Sequence, residues 1–160
     1  MSLTVKHYFA YGSNMNPDRV RQRKMSFESA ASGHLFDYSL RFNKRSVKYP
    51  GTAAANVMVS AKGVTEGVLY RLVEPVQIEM MDPYEGYPVR YTRIALPIVT
   101  KAGVVEAWVY IANKDHVTEG LVPARWYLNH LLAGRDYLSA SYFETLCQTK
   151  CLHDSDIEPV

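Results

Sequence analysis

Long apolar runs are missing from this chain. No stretch approaches the roughly 20 consecutive apolar residues that a membrane-spanning helix needs, so no membrane partner is expected. Cysteine is scarce, with only Cys147 and Cys151. Together with His153 they offer three candidate ligands at a spacing that matches no familiar zinc pattern, whereas a structural zinc site takes four. No metal is expected, and the pair reads as reduced thiols on one helix face. Charge of one sign is also lacking: 18 Lys and Arg against 16 Asp and Glu leave a net charge of +2. That is too small to argue for a nucleic-acid partner. The N-terminus has no charged start followed by an apolar core, so it does not read as a secretory signal, and a cytoplasmic location is the expectation.

Several catalytic signatures are absent as well. No serine sits in a GxSxG elbow, and there is no phosphate loop or dinucleotide fingerprint. His7, His34, His116 and His130 lie in different segments and form no visible triad. Hydride or phosphoryl transfer would need machinery that the chain does not display, and no cofactor is expected.

What the chain does contain is the composition of an ordinary globule, 48% apolar and 21% charged over 160 residues. That length suits a single domain spanning 1–160, with one core burying about two-thirds of the unfolded surface. Tyrosine is abundant, with twelve residues. A tyrosine serves either as a pocket wall with a hydroxyl donor or as a buried ring with its tip hydrogen-bonded.

The apolar segment Val5 to Tyr11 suits a central strand buried on both faces. Asn16-Pro17-Asp18 is a helix opening, with Asn as N-cap, Pro at the first helical position and an acid in the first turn. This helix should run to about Lys24, its basic cluster of Arg19, Arg21, Arg23 and Lys24 forming a solvated face. Phe27 to Phe42 alternates as a strand. Pro50-Gly51 marks a turn before another, and Gly63 to Leu72 reads as a further strand entered through a glycine turn. Pro75 opens a short helix with Ile78, Met81 and Met80 as inward candidates. Pro83 and Pro88 bracket "YEGY" and should break regular structure there. Two more strands, "RYTRIALPIVT" and "VVEAWVYIAN", join through Lys101 to Gly103. Two helices follow Pro123, one ending at Gly134 and one capped by Ser139 or Ser141. The expected fold is α+β: a small mixed, mostly antiparallel closed β-barrel of about six strands with peripheral helices.

Two places break local rules. The first is "YGSN", Tyr11 to Asn14, where a glycine after a buried strand lets successive N–H groups converge toward an anion, close to the positive end of a helix. A plain tight turn fits the same residues. The second is Glu85, held between prolines and tyrosines directly before Gly86. Partial desolvation there would raise its pKa toward the range of a general base or acid. A surface acid in a turn is the other reading.

Taken together, "YFAYGSNMNPDRV" and "MDPYEGYPVRYTR" resemble the gamma-glutamylcyclotransferase superfamily. The likeness continues through "YSLRFNKRS", "GTAAANV", "GVLYRL" and "VPARWYLNHLLAG", covering about residues 6 to 148. The resemblance implies a small barrel with peripheral helices, and an enzyme that cyclises a gamma-glutamyl group, releasing 5-oxoproline and a free amine. It implies Tyr11, Gly12, Ser13 and Asn14 as the binding loop and Glu85 as the acid–base group. Tyr110 and Tyr127 match pocket tyrosines of the glutathione-metabolising members. The implied partner is a small gamma-glutamyl compound. Whether the loop amides hold an alpha-carboxylate or an oxyanion stays open, as does the leaving amine: an amino acid, a lysine side chain or another amine. A non-catalytic binding module on the same fold, or a cyclase for a specialised metabolite, are the alternative readings.

Overall fold

The computed structural model of the protein describes residues 4–157. Among these, five strands close into a barrel: β1 (His7–Ala10), β2 (Phe27–Arg45), β3 (Ala53–Leu72), β4 (Tyr91–Thr100) and β5 (Gly103–Ala112). Their order around the barrel is β1-β3-β2-β4-β5. Every pairing is antiparallel except that of β1 with β5, which is parallel and places Tyr8 opposite Trp108. Closure leaves the sheet without free edges. The α+β, mostly antiparallel barrel with peripheral helices is the architecture expected from the sequence.

The strand count differs by one for a local reason. Gly63 does not open a new strand, because β3 runs unbroken from Ala53 to Leu72. Residues 60–63 swell out opposite Asp37 alone, between the Tyr38–Val59 and Phe36–Val64 pairs. Asp37 and Lys62 take left-handed backbone there, with φ of 66° and 64°. An irregularity of this kind bends a strand without ending it. A second shift lies between Arg41 and Lys44 on β2, and it turns the adjacent Asn43 and Lys44 both inward.

Alternation along the strands divides the buried residues into two clusters. Phe9, Leu35, Val57, Leu69, Ile98 and Val109 belong to one that contains no helical residue, and these side chains fill the barrel. Their neighbours Tyr8, Val68, Tyr70 and Tyr110 belong to the other, together with residues of the helices packed outside.

Four α-helices lie among the described residues: α1 (Pro17–Gln22), α2 (Ile78–Glu85), α3 (Arg125–Leu132) and α4 (Ala140–Cys147). Asn16 caps α1 by accepting from the Asp18 amide at 3.1 Å, and Pro17 takes the first helical position. Ser139, rather than Ser141, caps α4, and its amide and hydroxyl both donate to the Glu66 carboxylate on β3 at 2.7 Å. A turn of 3-10 helix at Pro75–Gln77 leads into α2. Ile78 and Met81 are fully buried, each side chain contributing about 2 kcal/mol by its transfer from water, while Met80 faces out. Pro83 does not break α2 but lies inside it. It removes only one intrahelical bond, and the helix ends naturally just beyond, at Gly86 in left-handed conformation (φ 71°). No helix among the described residues is long and apolar enough to cross a membrane.

Candidate active site

One end of the barrel, where β1 and β5 finish and β3 and β4 begin, opens into a cavity of about 320 Å³. All seven residues singled out in the sequence line it: Tyr11, Gly12, Ser13, Asn14, Glu85, Tyr110 and Tyr127. Ile78, Met81 and Glu85 share one face of α2 by helical spacing. Burial of the first two therefore fixes the third toward the cavity, so Glu85 is presented as the last residue of a helix, where a break in regular structure was expected. Its side chain is only 17% exposed.

Asn14 holds this carboxylate. Its Nδ2 donates to Glu85 Oε1 at 3.2 Å and to the Tyr8 hydroxyl at 2.9 Å, while its Oδ1 accepts from Arg23 at 3.2 Å. The Asn14 carbonyl in turn accepts from the buried Tyr70 hydroxyl at 2.6 Å. Ser13–Met15 forms a single 3-10 turn, closed by the Met15 amide donating to Gly12 O at 2.9 Å. The amides of Ser13 and Asn14 donate to no protein acceptor among the described residues. Gly12 lies in a tight space rather than in left-handed backbone: a Cβ would lie 3.1 Å from both Ala55 Cβ and the Tyr127 hydroxyl, so either neighbour would have to give way.

The predicted tyrosines form walls whose hydroxyls are largely committed. Tyr11 donates to the Tyr110 carbonyl, Tyr110 donates to Asp82 Oδ1 at 2.7 Å, and Tyr127 accepts from the Ala55 amide at 2.9 Å.

A scan against family descriptions matches residues 8–129 to "Gamma-glutamyl cyclotransferase, AIG2-like". The chain belongs to that family. No curated protein gives a significant match to the sequence. Among solved structures, an uncharacterized protein from Homo sapiens is similar at 24% identity and a TM-score of 0.77, over 92% of this chain and 89% of that one. A structure described as gamma-glutamyl cyclotransferase is similar at 22% identity and a TM-score of 0.77, with the same coverages of 92% and 89%. A yeast gamma-glutamyl cyclotransferase described as specific to glutathione is more distant, at 14% identity and a TM-score of 0.63 over 88% and 94% of the two chains. At these identities the likeness is one of fold.

Within this cyclotransferase-family cavity, electrostatics sets the chemistry. Burial pushes the Glu85 carboxyl above its usual range, against Arg23, Lys44, Arg19 and Arg90, which each pull it down. Burial also pushes the Tyr8 and Tyr11 hydroxyls up, and Tyr127 up to about 12, so these rings stay neutral at physiological pH. Lys44 is driven down to about 8, chiefly by burial and then by Arg90. Glu85 is the sole carboxylate among the described residues that line the cavity. A carboxylate with a raised pKa, unpaired amides and several cations can exchange a proton and hold an anion at once.

Sequence reasoning missed part of the site. The basic helix face was expected to be solvated, and this holds for Arg21, which pairs with Asp18 at 2.9 Å with both side chains largely exposed. Arg19 and Arg23 instead turn inward and line the cavity. Asn16 to Arg23 spans about two helical turns, so Arg19 and Arg23, four apart, share a face that Arg21 does not. Lys44 was hidden because the β2 irregularity breaks the alternation that would have placed it outside. Arg90, Tyr8 and Tyr91 carry no local signal and are placed by barrel closure. Among the described residues no group of His, Cys, Asp and Glu gathers as metal ligands. Cys147 is exposed, Cys151 is half-buried, and both are free.

Proposed function

We propose that this protein is a cyclase for gamma-glutamyl compounds, releasing 5-oxoproline and a free amine. The observation that carries the reading is the Asn14–Glu85 contact of 3.2 Å, which joins the "YGSN" turn to the one carboxylate that lines the cavity among the described residues. In the reaction the substrate's alpha-amine attacks its own gamma-carbonyl. A C–N bond forms to close the five-membered ring, and the gamma-amide C–N bond breaks. Glu85 takes a proton from the alpha-ammonium, freeing the lone pair that attacks, and returns it to the departing nitrogen. The second proton, shed by the ring nitrogen as the lactam forms, goes to the released amine, which leaves as an ammonium.

Because the attack is intramolecular, the protein's task is mainly to hold the folded-back conformer, a form of orientation worth up to roughly 7–11 kcal/mol. The Ser13 and Asn14 amides, with Arg19 and Arg23 behind them, suit the negative charge of an alpha-carboxylate or of the tetrahedral oxyanion. An oxyanion donor is worth about 3 kcal/mol. The cavity volume of about 320 Å³ fits a substrate of dipeptide size.

The test is 5-oxoproline release from glutathione, gamma-glutamyl-alanine, gamma-glutamyl-lysine and a simple gamma-glutamyl amine, measured for the wild-type protein and for Glu85→Gln. Release from at least one, lost about 10²- to 10⁴-fold or more in the variant, is expected. Unchanged release in Glu85→Gln would reject Glu85 as the proton carrier. Binding without release from any substrate would reject the cyclase.

A further inference from the structure

The cavity carries more positive charge than a gamma-glutamyl group can use, and this inference rests on the cyclase reading above. The cations fall into two pairs from different parts of the chain. Arg19 lies within α1 and Arg23 at its C-terminal end, beside the "YGSN" turn, where Arg19 Nε donates to Ser13 Oγ at 3.1 Å and Arg23 donates to Asn14 Oδ1 at 3.2 Å. Each is the other's like-charged neighbour. Lys44, near the end of β2, and Arg90, which follows α2, form the second pair.

Lys44 is the more telling of the two. It is only 7% exposed, and its ammonium, with three donors, makes no hydrogen bond or ion pair with any described residue. Its nearest distinctive contact is the Tyr91 ring, 5.7 Å from Nζ. Arg90 is likewise without a side-chain hydrogen bond or ion pair among the described residues. Its guanidinium lies directly over Gly86, where even a Cβ would collide with Nε. Gly86 itself is called for by its left-handed backbone at the end of α2 (φ 71°), and the bare Cα leaves room for the guanidinium to lie against it. The Lys44 ammonium faces the cavity with no protein acceptor among the described residues, and burial of its stem beside a like-charged neighbour disfavours its charge. An anion lying against both would offset the two penalties together.

A gamma-glutamyl group offers one anion, its alpha-carboxylate, and one cation, its alpha-ammonium. The first suits the Arg19–Arg23 side and the turn amides, and the second suits Glu85. With that assignment no ground-state charge of the glutamyl half remains for Lys44 and Arg90, since the oxyanion on the gamma-carbon exists only in the transition state. We propose that Lys44 and Arg90 form a second anion subsite, which selects substrates whose departing amine carries a carboxylate. The chain is thereby tuned to gamma-glutamyl amino acids over neutral gamma-glutamyl amides of the same size, and Lys44 is a specificity-determining residue.

The decisive comparison uses gamma-glutamylglycine and gamma-glutamylglycinamide, which differ only in a carboxylate replaced by a neutral amide. Wild-type kcat/KM should favour the carboxylate by about 10- to 100-fold, the range of one charge-assisted hydrogen bond. Lys44→Met should bring the ratio close to one, and Lys44→Arg should retain most of it, with circular dichroism checking that each variant folds. Calorimetric binding of the same two compounds to Glu85→Gln gives a readout that needs no turnover. Turnover of both compounds with equal kcat/KM by the wild-type protein overturns the subsite and leaves the cyclase standing. A preference in binding that Lys44→Met removes, without turnover of either compound, overturns the cyclase and keeps the subsite. Binding of neither compound, without turnover, overturns both.

Discussion

Glu85 combines two properties that rarely coexist on a surface acid: burial, which penalises its charge, and four cations that favour it. The first wins, since the net shift of its pKa is upward. The folded state thus holds the Glu85 proton more tightly than the unfolded chain does, so folding gains as pH falls through that raised pKa. Wherever it is ionised, this carboxylate is a net burden on the fold, kept for its chemistry. Glu85→Gln removes the burden and keeps the side-chain size. The variant is expected to melt above the wild-type protein at pH 7, and the gap should close as pH drops and the wild-type carboxyl takes up its proton. Thermal melts of both proteins from pH 7 to pH 4 check this. A variant that melts lower at pH 7 would mean that the Asn14 bond and the cations return more than burial removes.

At the scale of elements, α2 has to hold Glu85 in register with the turn from β1, and one buried ion pair ties it to the barrel. Asp82 accepts from Arg93 Nε at 2.9 Å and Nη2 at 3.1 Å, and from the Tyr110 hydroxyl at 2.7 Å. The Arg93 guanidinium lies 4.7 Å from the Tyr87 ring centroid and 4.4 Å from that of Trp108. Removing one partner strands the other charge, so Asp82→Ala is expected to cost about 3–5 kcal/mol. The double variant Asp82→Ala/Arg93→Met should cost clearly less than the sum of the single changes, because the stranded charge is then gone. Urea unfolding of the four proteins measures the coupling, and additive losses would show that the pair does not anchor α2. This anchor was not legible in the sequence. Asp82 and Arg93 belong to different elements, and only barrel closure brings β4 and β5 against α2. What could be read locally was read from local physics: the Asn16-Pro17 opening, the buried face of Ile78 and Met81, the Ser139 cap. Pro83 misled because a proline near a helix's last turn costs too little to end it, and Gly63 misled because a strand can swell without stopping.

At the scale of the whole molecule, the candidate site draws on residues from Tyr8 to Tyr127, and its seven predicted members were legible because two short stretches carry five of them. The cations were not, since their common feature is position around the cavity and no sequence pattern records it. That distribution has a consequence for association. The chain's net charge is only +2, yet among the described residues Arg19, Arg23, Lys44, Lys48 and Arg90 share one concave site with a single carboxylate, Glu85. A low-dielectric cavity of one sign focuses its field outward and draws in anions. Beyond a Debye length of about 10 Å at 0.1 M salt that field is screened, whereas contacts inside the cavity are screened far less. Salt should therefore act on encounter more than on the bound complex. For gamma-glutamylglycine binding to Glu85→Gln, stopped-flow measurement of tyrosine or tryptophan fluorescence between about 0.02 M and 0.5 M salt, over which the Debye length shortens several-fold, is expected to show kon falling several-fold while koff changes little. If kon is indifferent to salt, the clustered cations do not steer the ligand. If koff rises as steeply as kon falls, they are open enough to solvent to act as ordinary surface charges.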